Sequence, residues 1–242
     1  MIIYVHHHEL MEDLVEEITE KISDGSFEQI DFCLRALIFF LERIEDENRG
    51  KDLHEHLPVI LSAILSAFTN EEIGSHGREQ VLHIFYLCLR TISWADGIDN
   101  ELIEGCLDET FNQWMAVFLQ VIQSDAKKFF DIKRNALKCL TVIFRDFINY
   151  SRECISMILR PAWKLMNMHL PIFTEVLGYN KSIADIEELK NDDGDDGEDE
   201  DESDKRGFES DEDDEIEEPH GIKGMTLQLI ELLTTLVQRP NV

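Results

Sequence analysis

The residues with the clearest chemistry are the acids crowded into positions 191–218. This stretch of 28 residues holds 18 aspartates and glutamates but only two bases, Lys205 and Arg206. Carboxylates at this density attract strongly basic ligands, and the attraction weakens as salt screens the charges. Apart from Phe208 and Ile216 the stretch has almost no apolar side chains, so burial cannot offset the entropic cost of ordering it. We therefore expect a flexible acidic loop that binds a basic partner or competes for one.

A purely solubilising role is the alternative for this acidic stretch. Its position favours binding, because inert acidic runs are common at chain termini whereas this one interrupts the helical region. Ser210 is followed by acids and is a candidate phosphorylation site, where a phosphate would add about −1.5 to −2 charges. The residues that we predict to contact the partner are Asp192, Asp193, Asp195, Asp196, Glu198, Asp199, Glu200, Asp201, Glu202, Asp211, Glu212, Asp213, Asp214, Glu215, Glu217 and Glu218.

The other residue patterns disfavour most other chemistry. The acidic stretch lacks the spacing of an EF-hand loop, and the chain has no HExxH, no CxxC, no GxSxG and no phosphate-binding glycine loop. We therefore predict no catalytic set, no metal site and no cofactor, so an enzyme is disfavoured. The five cysteines are odd in number and mostly lie in apolar helical patterns, which predicts buried free thiols in a reducing compartment.

The charge of the whole chain points to a protein partner. Its 51 acids and 22 bases give a net charge of −29, the opposite of the basic footprint that nucleic acid requires. The longest mostly apolar run, residues 57–68, is shorter than the roughly 18–20 residues of a membrane span. The N-terminus also lacks the basic start of a secretory signal. These features predict a basic protein partner, with no direct nucleic-acid binding and no membrane insertion.

The elements that must position these acids are helices. Apolar residues recur with a period near 3.6 along most of the chain, and a period of two is almost absent, which predicts an all-α fold. Pro58 is acceptable only in the first turn of its helix, and Pro161 should start its helix or kink it. The predicted helices cover residues 10–22, 27–44, 54–68, 76–93, 109–123, 132–150, 153–169 and 222–238, with a short helical piece near 100–106.

Four of the predicted helices share one pattern, a small or β-branched residue followed by leucine and a broad apolar face. Their reference leucines, Leu34, Leu82, Leu137 and Leu227, are separated by 48, 55 and 90 positions. This spacing indicates a HEAT-type α-solenoid of stacked antiparallel helix pairs, with the first helices outside and the second helices lining a concave face. A single irregular helical domain is the rival interpretation.

The predicted organisation has three parts. Residues 1–190 form helical repeats, 191–218 form the acidic loop, and 219–242 form the first helix of a further repeat. The apolar face of that last helix has no following partner in the sequence, so we expect either that the array continues beyond it or that a neighbouring chain covers this end. The tryptophans, Trp94, Trp114 and Trp163, are expected to pack between helices, although Trp163 could instead support the concave rim.

The order of these features resembles the importin-β (karyopherin) family of nuclear transport receptors, and most closely its importin-nine subfamily. The resemblance spans about residues 27–237. Each helical motif has little specificity by itself, so the resemblance depends on the order of the motifs. The motifs are 30–44 (IDFCLRALIFFLERI), 55–69 (EHLPVILSAILSAFT), 77–92 (GREQVLHIFYLCLRTI), 134–148 (RNALKCLTVIFRDFI), 158–166 (ILRPAWKLM, similar to a hydrophobic-Pro-x-Trp helix start), the acidic stretch, and 224–237 (GMTLQLIELLTTLV). The family pattern has leucine directly before the proline, whereas Arg160 stands there in this chain.

This resemblance implies an import receptor segment that shuttles between cytoplasm and nucleus. Such receptors bind cargo on the concave face, pass nuclear pore proteins, and release the cargo when the small GTPase Ran binds in its GTP form. The subfamily resemblance implies basic cargo such as core histones and ribosomal proteins, with the acidic loop contacting cargo or Ran. A Ran-independent HEAT-repeat scaffold or histone chaperone, in which the acids shield a basic partner, is the alternative.

Overall fold

The computed structural model describes residues 2–47, 49–94, 105, 107–108, 110–124, 129–176 and 219–238. Every regular element in this part of the chain is helical, and it contains no strand. The predicted all-α class is therefore confirmed. The acidic stretch at 191–218 lies outside the described residues, as does nearly all of the short helical piece predicted near 100–106, so both stay predictions.

Eight helices of at least 13 residues occur in the described part of the chain. A four-residue helical turn and two 3₁₀ turns, His54–His56 and Glu71–Ile73, join three of them. The helices are α1 (Ile2–Asp24), α2 (Phe27–Asp46), α3 (Leu57–Thr69), α4 (Gly74–Ser93), α5 (Phe111–Gln123), α6 (Phe130–Asp146), α7 (Ile148–Val176) and α8 (Pro219–Val237).

The junction of α1 and α2 shows how the local sequence ends one helix and begins the next. The backbone N–H of Ser26 donates a hydrogen bond to Oε1 of Gln29 at 2.9 Å, which satisfies a donor at the start of α2. Gly25 precedes Ser26, and a Cβ at that position would lie 2.3 Å from the carbonyl oxygen of Lys21. The turn between the two helices therefore requires glycine.

The even-numbered helices pack in series, and these are the four that share the sequence pattern. Helix α2 contacts α4, α4 contacts α6, and α6 contacts α8. Each odd-numbered helix packs on a member of this series, since α1 packs on α2, α3 on α4, and α5 and α7 on α6. Within the odd-numbered set, α1 contacts α3 and α5 contacts α7.

An aromatic cluster links α3, α4 and α5. Trp114 is fully buried, and its ring centroid lies 4.5 Å from that of Phe85, 6.0 Å from that of Phe118 and 6.5 Å from that of Phe68. The Phe85 pair is tilted and the Phe68 pair is edge-on, arrangements that aromatic quadrupoles favour, while the Phe118 ring is stacked. This cluster brings residues of α3 and α5 together.

The boundary between the sixth and seventh predicted helices is wrong. The sequence suggested helices at 132–150 and 153–169, but α6 ends at Asp146, Phe147 breaks the run, and α7 continues to Val176. Phe147 has φ −111° and ψ 75°, which is outside the helical region. Pro161 consequently lies in the interior of α7 and not near its start, where it cannot donate to the carbonyl of Met157.

The register predicted for the last helix is also wrong by one position. Leu34, Leu82 and Leu137 are all fully buried, whereas Leu227 is 52% exposed. The fully buried residue at the equivalent place is Thr226. The burial pattern of α2 matches that of α8 when Leu34 is aligned with Thr226, because the buried residues Met225, Thr226, Leu229, Leu233 and Leu236 then repeat the spacing of Cys33, Leu34, Leu37, Leu41 and Ile44.

Candidate protein-binding surfaces

The acidic residues predicted to contact a partner, Asp192 to Glu218, lie outside the described residues, and so does Ser210. The structure therefore does not test whether they come together. What it does describe are the helices on both sides of them, α7 and α8, which contact each other. Two charged surfaces on the odd-numbered helices are described in full.

The first surface is an acidic face on α1. Val15, Ile18 and Ile22 are buried, which follows the 3.6-residue period and turns one side of α1 toward α2 and α3. Acids occupy the exposed side, and Lys21 is the single base between positions 12 and 24. Lys21 pairs with Glu17 one turn earlier and thereby lowers the pKa of the Glu17 carboxyl. The exposed acids are Glu12, Asp13, Glu16, Glu17, Glu20 and Asp24.

The second surface lies where α5 and α7 pack together, and it has the opposite charge. Residues 110–124 and 154–168 together contain two bases, Arg160 and Lys164, and no acid. Both bases are exposed on α7 and line a groove of about 400 Å³ between α5 and α7. The groove is completed by Ile122, Gln123, Pro161, Leu165 and Met168.

The even-numbered helices carry charges that pair across helix boundaries. Arg90 of α4 pairs with Glu45 of α2, and its guanidinium lies 5.1 Å from the ring centroid of Tyr86. Arg134 of α6 lies 3.8 Å from Glu79 of α4. Lys138 of α6 also faces the ring of Tyr86, at 5.7 Å. These contacts hold successive helices together, so we assign this side a structural role.

His83 of α4 lies within this paired network. Burial lowers the pKa of His83, and the positive charges of Lys138 on α6 and Arg90 on α4 act in the same direction. Glu42 of α2 opposes them from 3.9 Å, and Tyr86 stacks on the imidazole with its ring centroid 6.4 Å away. The charged imidazolium is therefore less favourable in the folded chain than in the unfolded one.

Acidification is expected to destabilise the unaltered chain relative to a His83→Gln variant. An unfolded histidine titrates near 6.5 and the folded His83 titrates lower. The unfolded state therefore binds more protons between the two values, and stability present above pH 6.5 is lost as the pH falls through this window. Urea unfolding of both chains at about pH 7.5 and about pH 5.5 measures the difference. An identical pH dependence in the two chains would contradict this prediction.

The expectation that the tryptophans pack between helices is confirmed for Trp114 and wrong for Trp94, and Trp163 is exposed, as the alternative given for it allows. Trp114 is buried in the aromatic cluster, but Trp94 is 63% exposed and Trp163 is 58% exposed. Trp94 follows the end of α4 and lies 5.9 Å from the Arg90 guanidinium. Trp163 lies between Arg160 and Lys164 in sequence, so its exposed ring adds an apolar element beside the two bases of α7.

The described cysteines form no disulfide, and the described residues form no cluster of metal ligands. Cys33, Cys88, Cys139 and Cys154 are free and buried, and burial raises the pKa of the Cys88 and Cys139 thiols. Where the structure describes side chains, no three metal-ligating residues come together. No described helix is long and apolar enough to cross a membrane.

Neither the acidic face of α1 nor the basic surface of α7 is among the sequence predictions. The acids of α1 were overshadowed by the much denser stretch at 191–218, although five net negative charges between positions 12 and 24 can be counted from the sequence. The bases of α7 were missed because two bases are no pattern by themselves. The available signal was the absence of acids from residues 110–124 and 154–168 in a chain of net charge −29.

Comparison of the chain with protein-family models, characterised proteins and solved structures found no match.

Proposed function

We propose that this chain binds strongly basic proteins through its acidic residues, as a segment of a HEAT-type α-solenoid. The observation that carries the proposal is the charge distribution, with 18 of the 51 acids placed in residues 191–218, which lie in the connection between α7 and α8. Acids in a connection between packed helices stay attached at both ends to a folded surface. They can therefore hold a basic ligand against that surface without a fixed geometry.

The solenoid part of the proposal is supported by the packing order. Each even-numbered helix from α2 to α6 contacts the next one, and each odd-numbered helix contacts a member of this series. Stacked helix pairs produce this pattern of contacts with neighbours. In the proposed arrangement the odd-numbered helices line the concave face, so the acidic face of α1 contributes to the same binding surface as residues 191–218.

The cellular role that we propose is nuclear import. The order of helical motifs and the acidic stretch are similar to importin-β receptors of the importin-nine type, which is the support for a receptor of basic cargo such as core histones. Ran in its GTP form is the proposed release factor, nuclear pore proteins are further proposed partners, and shuttling between cytoplasm and nucleus follows from this role. A Ran-independent scaffold or histone chaperone is the second candidate, because the charge distribution alone supports it equally.

Replacing residues 191–218 by an uncharged Gly/Ser linker of equal length is expected to weaken binding of a core histone dimer by at least about tenfold at physiological salt. The reason is that removing 16 net negative charges removes most of the attraction that salt screens. Fluorescence titration at several salt concentrations measures both the affinity and its salt dependence. The linker variant should also show a smaller slope of log affinity against log salt.

A matched control separates the acidic stretch from the acidic face of α1. In that control Glu12, Asp13, Glu16 and Glu20 are changed to their amides, which removes four charges and leaves 191–218 intact. A smaller loss of affinity is expected, in proportion to the charge removed. If the linker variant binds with unchanged affinity and unchanged salt slope, residues 191–218 are not the binding element.

Ran distinguishes the two cellular roles. An import receptor should lose affinity for the histone dimer when Ran-GTP is added, and the dimer should weaken Ran-GTP binding by the same factor, because linkage is reciprocal. Binding that is unchanged at saturating Ran-GTP supports the chaperone alternative. Ran-GDP serves as the control for non-specific competition.

A further inference from the structure

Residues 110–124 and 154–168, on and beside the packed helices α5 and α7, hold two bases and no acid. Arg160 and Lys164 are one turn apart on α7, both are exposed, and within the described residues neither forms an ion pair. The described bases of α4 and α6 discussed above, by contrast, pair with carboxylates or stack on aromatic rings. Two unaccompanied bases in so acidic a chain are suited to receive an anionic ligand.

The groove beside these bases adds an apolar component to the site. Ile158, Ala162 and Leu165 are buried, so this side of α7 faces the other helices, and the opposite side presents Arg160, Trp163 and Lys164. The groove of about 400 Å³ has Leu165 and Met168 of α7 and Ile122 of α5 among its lining residues. A complementary ligand therefore carries carboxylates together with a few apolar side chains.

We propose that residues 208–218 of the same chain bind in this groove. This segment contains eight carboxylates, no base and the two apolar residues Phe208 and Ile216, which match the bases and the apolar lining of the groove. The earlier half of the acidic stretch, residues 192–202, has no apolar side chain and matches only the charges. Phe208 and Ile216 are the residues that we assign to the apolar surface offered by the exposed Met168 and the half-buried Pro161.

Covalent attachment makes such docking favourable at modest intrinsic affinity. Glu218 directly precedes Pro219, where α8 begins, and α8 packs against α7. Ten residues separate Phe208 from Glu218 and can span at most about 35 Å when extended. A tether of this length keeps the segment at an effective concentration near the millimolar range.

This docking is independent of the proposed function, since it requires no cargo. If basic proteins do bind residues 191–218, the α5–α7 groove competes for the same carboxylates, and a basic ligand must displace the segment from Arg160 and Lys164. The groove would then set a threshold of basicity below which a ligand is not bound.

Carbodiimide crosslinking of the full chain tests the proposal, because the reagent joins a carboxylate directly to a lysine amine without a spacer. We expect a crosslink between Lys164 and the peptide 208–218 in the monomer, identified by mass spectrometry. The Arg160→Glu variant keeps the reporting amine of Lys164 and should lower the yield about fivefold, the order expected when one partly exposed charge pair is lost and reversed. The matched control is Arg35→Glu on α2, an equal charge change at another exposed arginine, which should leave the yield unchanged.

Three outcomes would overturn the proposal. The first is an equal crosslink yield in Arg160→Glu and Arg35→Glu. The second is a crosslink at Lys164 that is no more frequent than at the exposed Lys51. The third is crosslinking confined to covalent dimers, which would assign the groove to a second copy of the chain. Helical circular dichroism verifies that each variant is folded. Should Arg160→Glu fail to fold, adding free peptide 207–218 to the unaltered chain provides the second measurement, since it must lower the Lys164 crosslink if the groove binds that segment.

Discussion

Replacing Trp114 by alanine is expected to lower the free energy of unfolding by about 3–5 kcal/mol. Trp114 is fully buried and contacts Phe68, Phe85 and Phe118, so the change leaves a large cavity where α3, α4 and α5 meet. The surrounding rings belong to three different helices and can collapse into that cavity only partly. Urea unfolding followed by circular dichroism measures the loss, which should approach the total stability of a typical domain.

Two tryptophan variants provide the controls for this prediction. Trp94→Ala should lower the free energy of unfolding by less than about 1 kcal/mol, because Trp94 is 63% exposed. The Arg90 guanidinium lies 5.9 Å from its ring centroid, and an exposed contact of this kind is weak. Trp114→Phe should cost less than Trp114→Ala, because it keeps an aromatic ring and removes an indole N–H that is buried without an acceptor in the described structure. A similar loss for Trp114→Ala and Trp94→Ala would show that the cluster does not connect the three helices.

Leu137→Ala and Leu227→Ala are expected to differ by at least about 2 kcal/mol in their effect on unfolding. The two leucines occupy the same place in the sequence pattern, but Leu137 is fully buried on α6, which packs against α4 and α8, whereas Leu227 is 52% exposed. Deleting a buried leucine side chain costs about 2–5 kcal/mol, and deleting an exposed one costs a fraction of that.

The Leu137 and Leu227 pair tests the register of α8 directly. If the sequence alignment were right, the two substitutions would cost the same amount. If the structure is right, Leu229→Ala, at a fully buried position of α8, should resemble Leu137→Ala. Equal losses at Leu227 and Leu229 would contradict the burial pattern of α8.

The positions of the helices could be predicted from the sequence, but the orientation of α8 could not. In α2 Leu34, Leu37 and Leu41 recur at helical spacing and are all buried, although Ile38, Phe39 and Phe40 between them are also apolar. In α8 apolar residues surround the axis, and Leu227 and Leu229 look equivalent in the sequence. Which of them is buried depends on where α6 and α7 lie, and this is tertiary information.

The end of α6 was misplaced for a similar reason. Residues 147 and 148, phenylalanine and isoleucine, continue the apolar period of α6, so the pattern gave no reason to stop before Tyr150. The structure stops the helix at Asp146 and begins α7 one residue later, which leaves Pro161 in the interior of a long helix. The expectation was that Pro161 would lie near the start of its helix or kink it, and the structure excludes the first of these positions.

The candidate surfaces were only partly accessible to sequence reasoning. The density of acids at 191–218 is a property of composition and needs no fold to be recognised. The groove beside Arg160 and Lys164 depends on the packing of α5 against α7. Residues 110–124 and 154–168 contain no acid, but only the structure shows that these two stretches are close in space.

The distribution of charge along the odd-numbered helices has a kinetic consequence. Helix α1 carries five net negative charges over residues 12–24, α3 and α5 carry none, and the described side chains of α7 carry two positive ones. The described part of the odd-numbered set is thus electrically asymmetric, and the negative field at α1 orients an approaching cation-rich molecule before it touches the protein. Orientation of this kind raises the association rate constant more than the final affinity, and it fades as ionic strength increases.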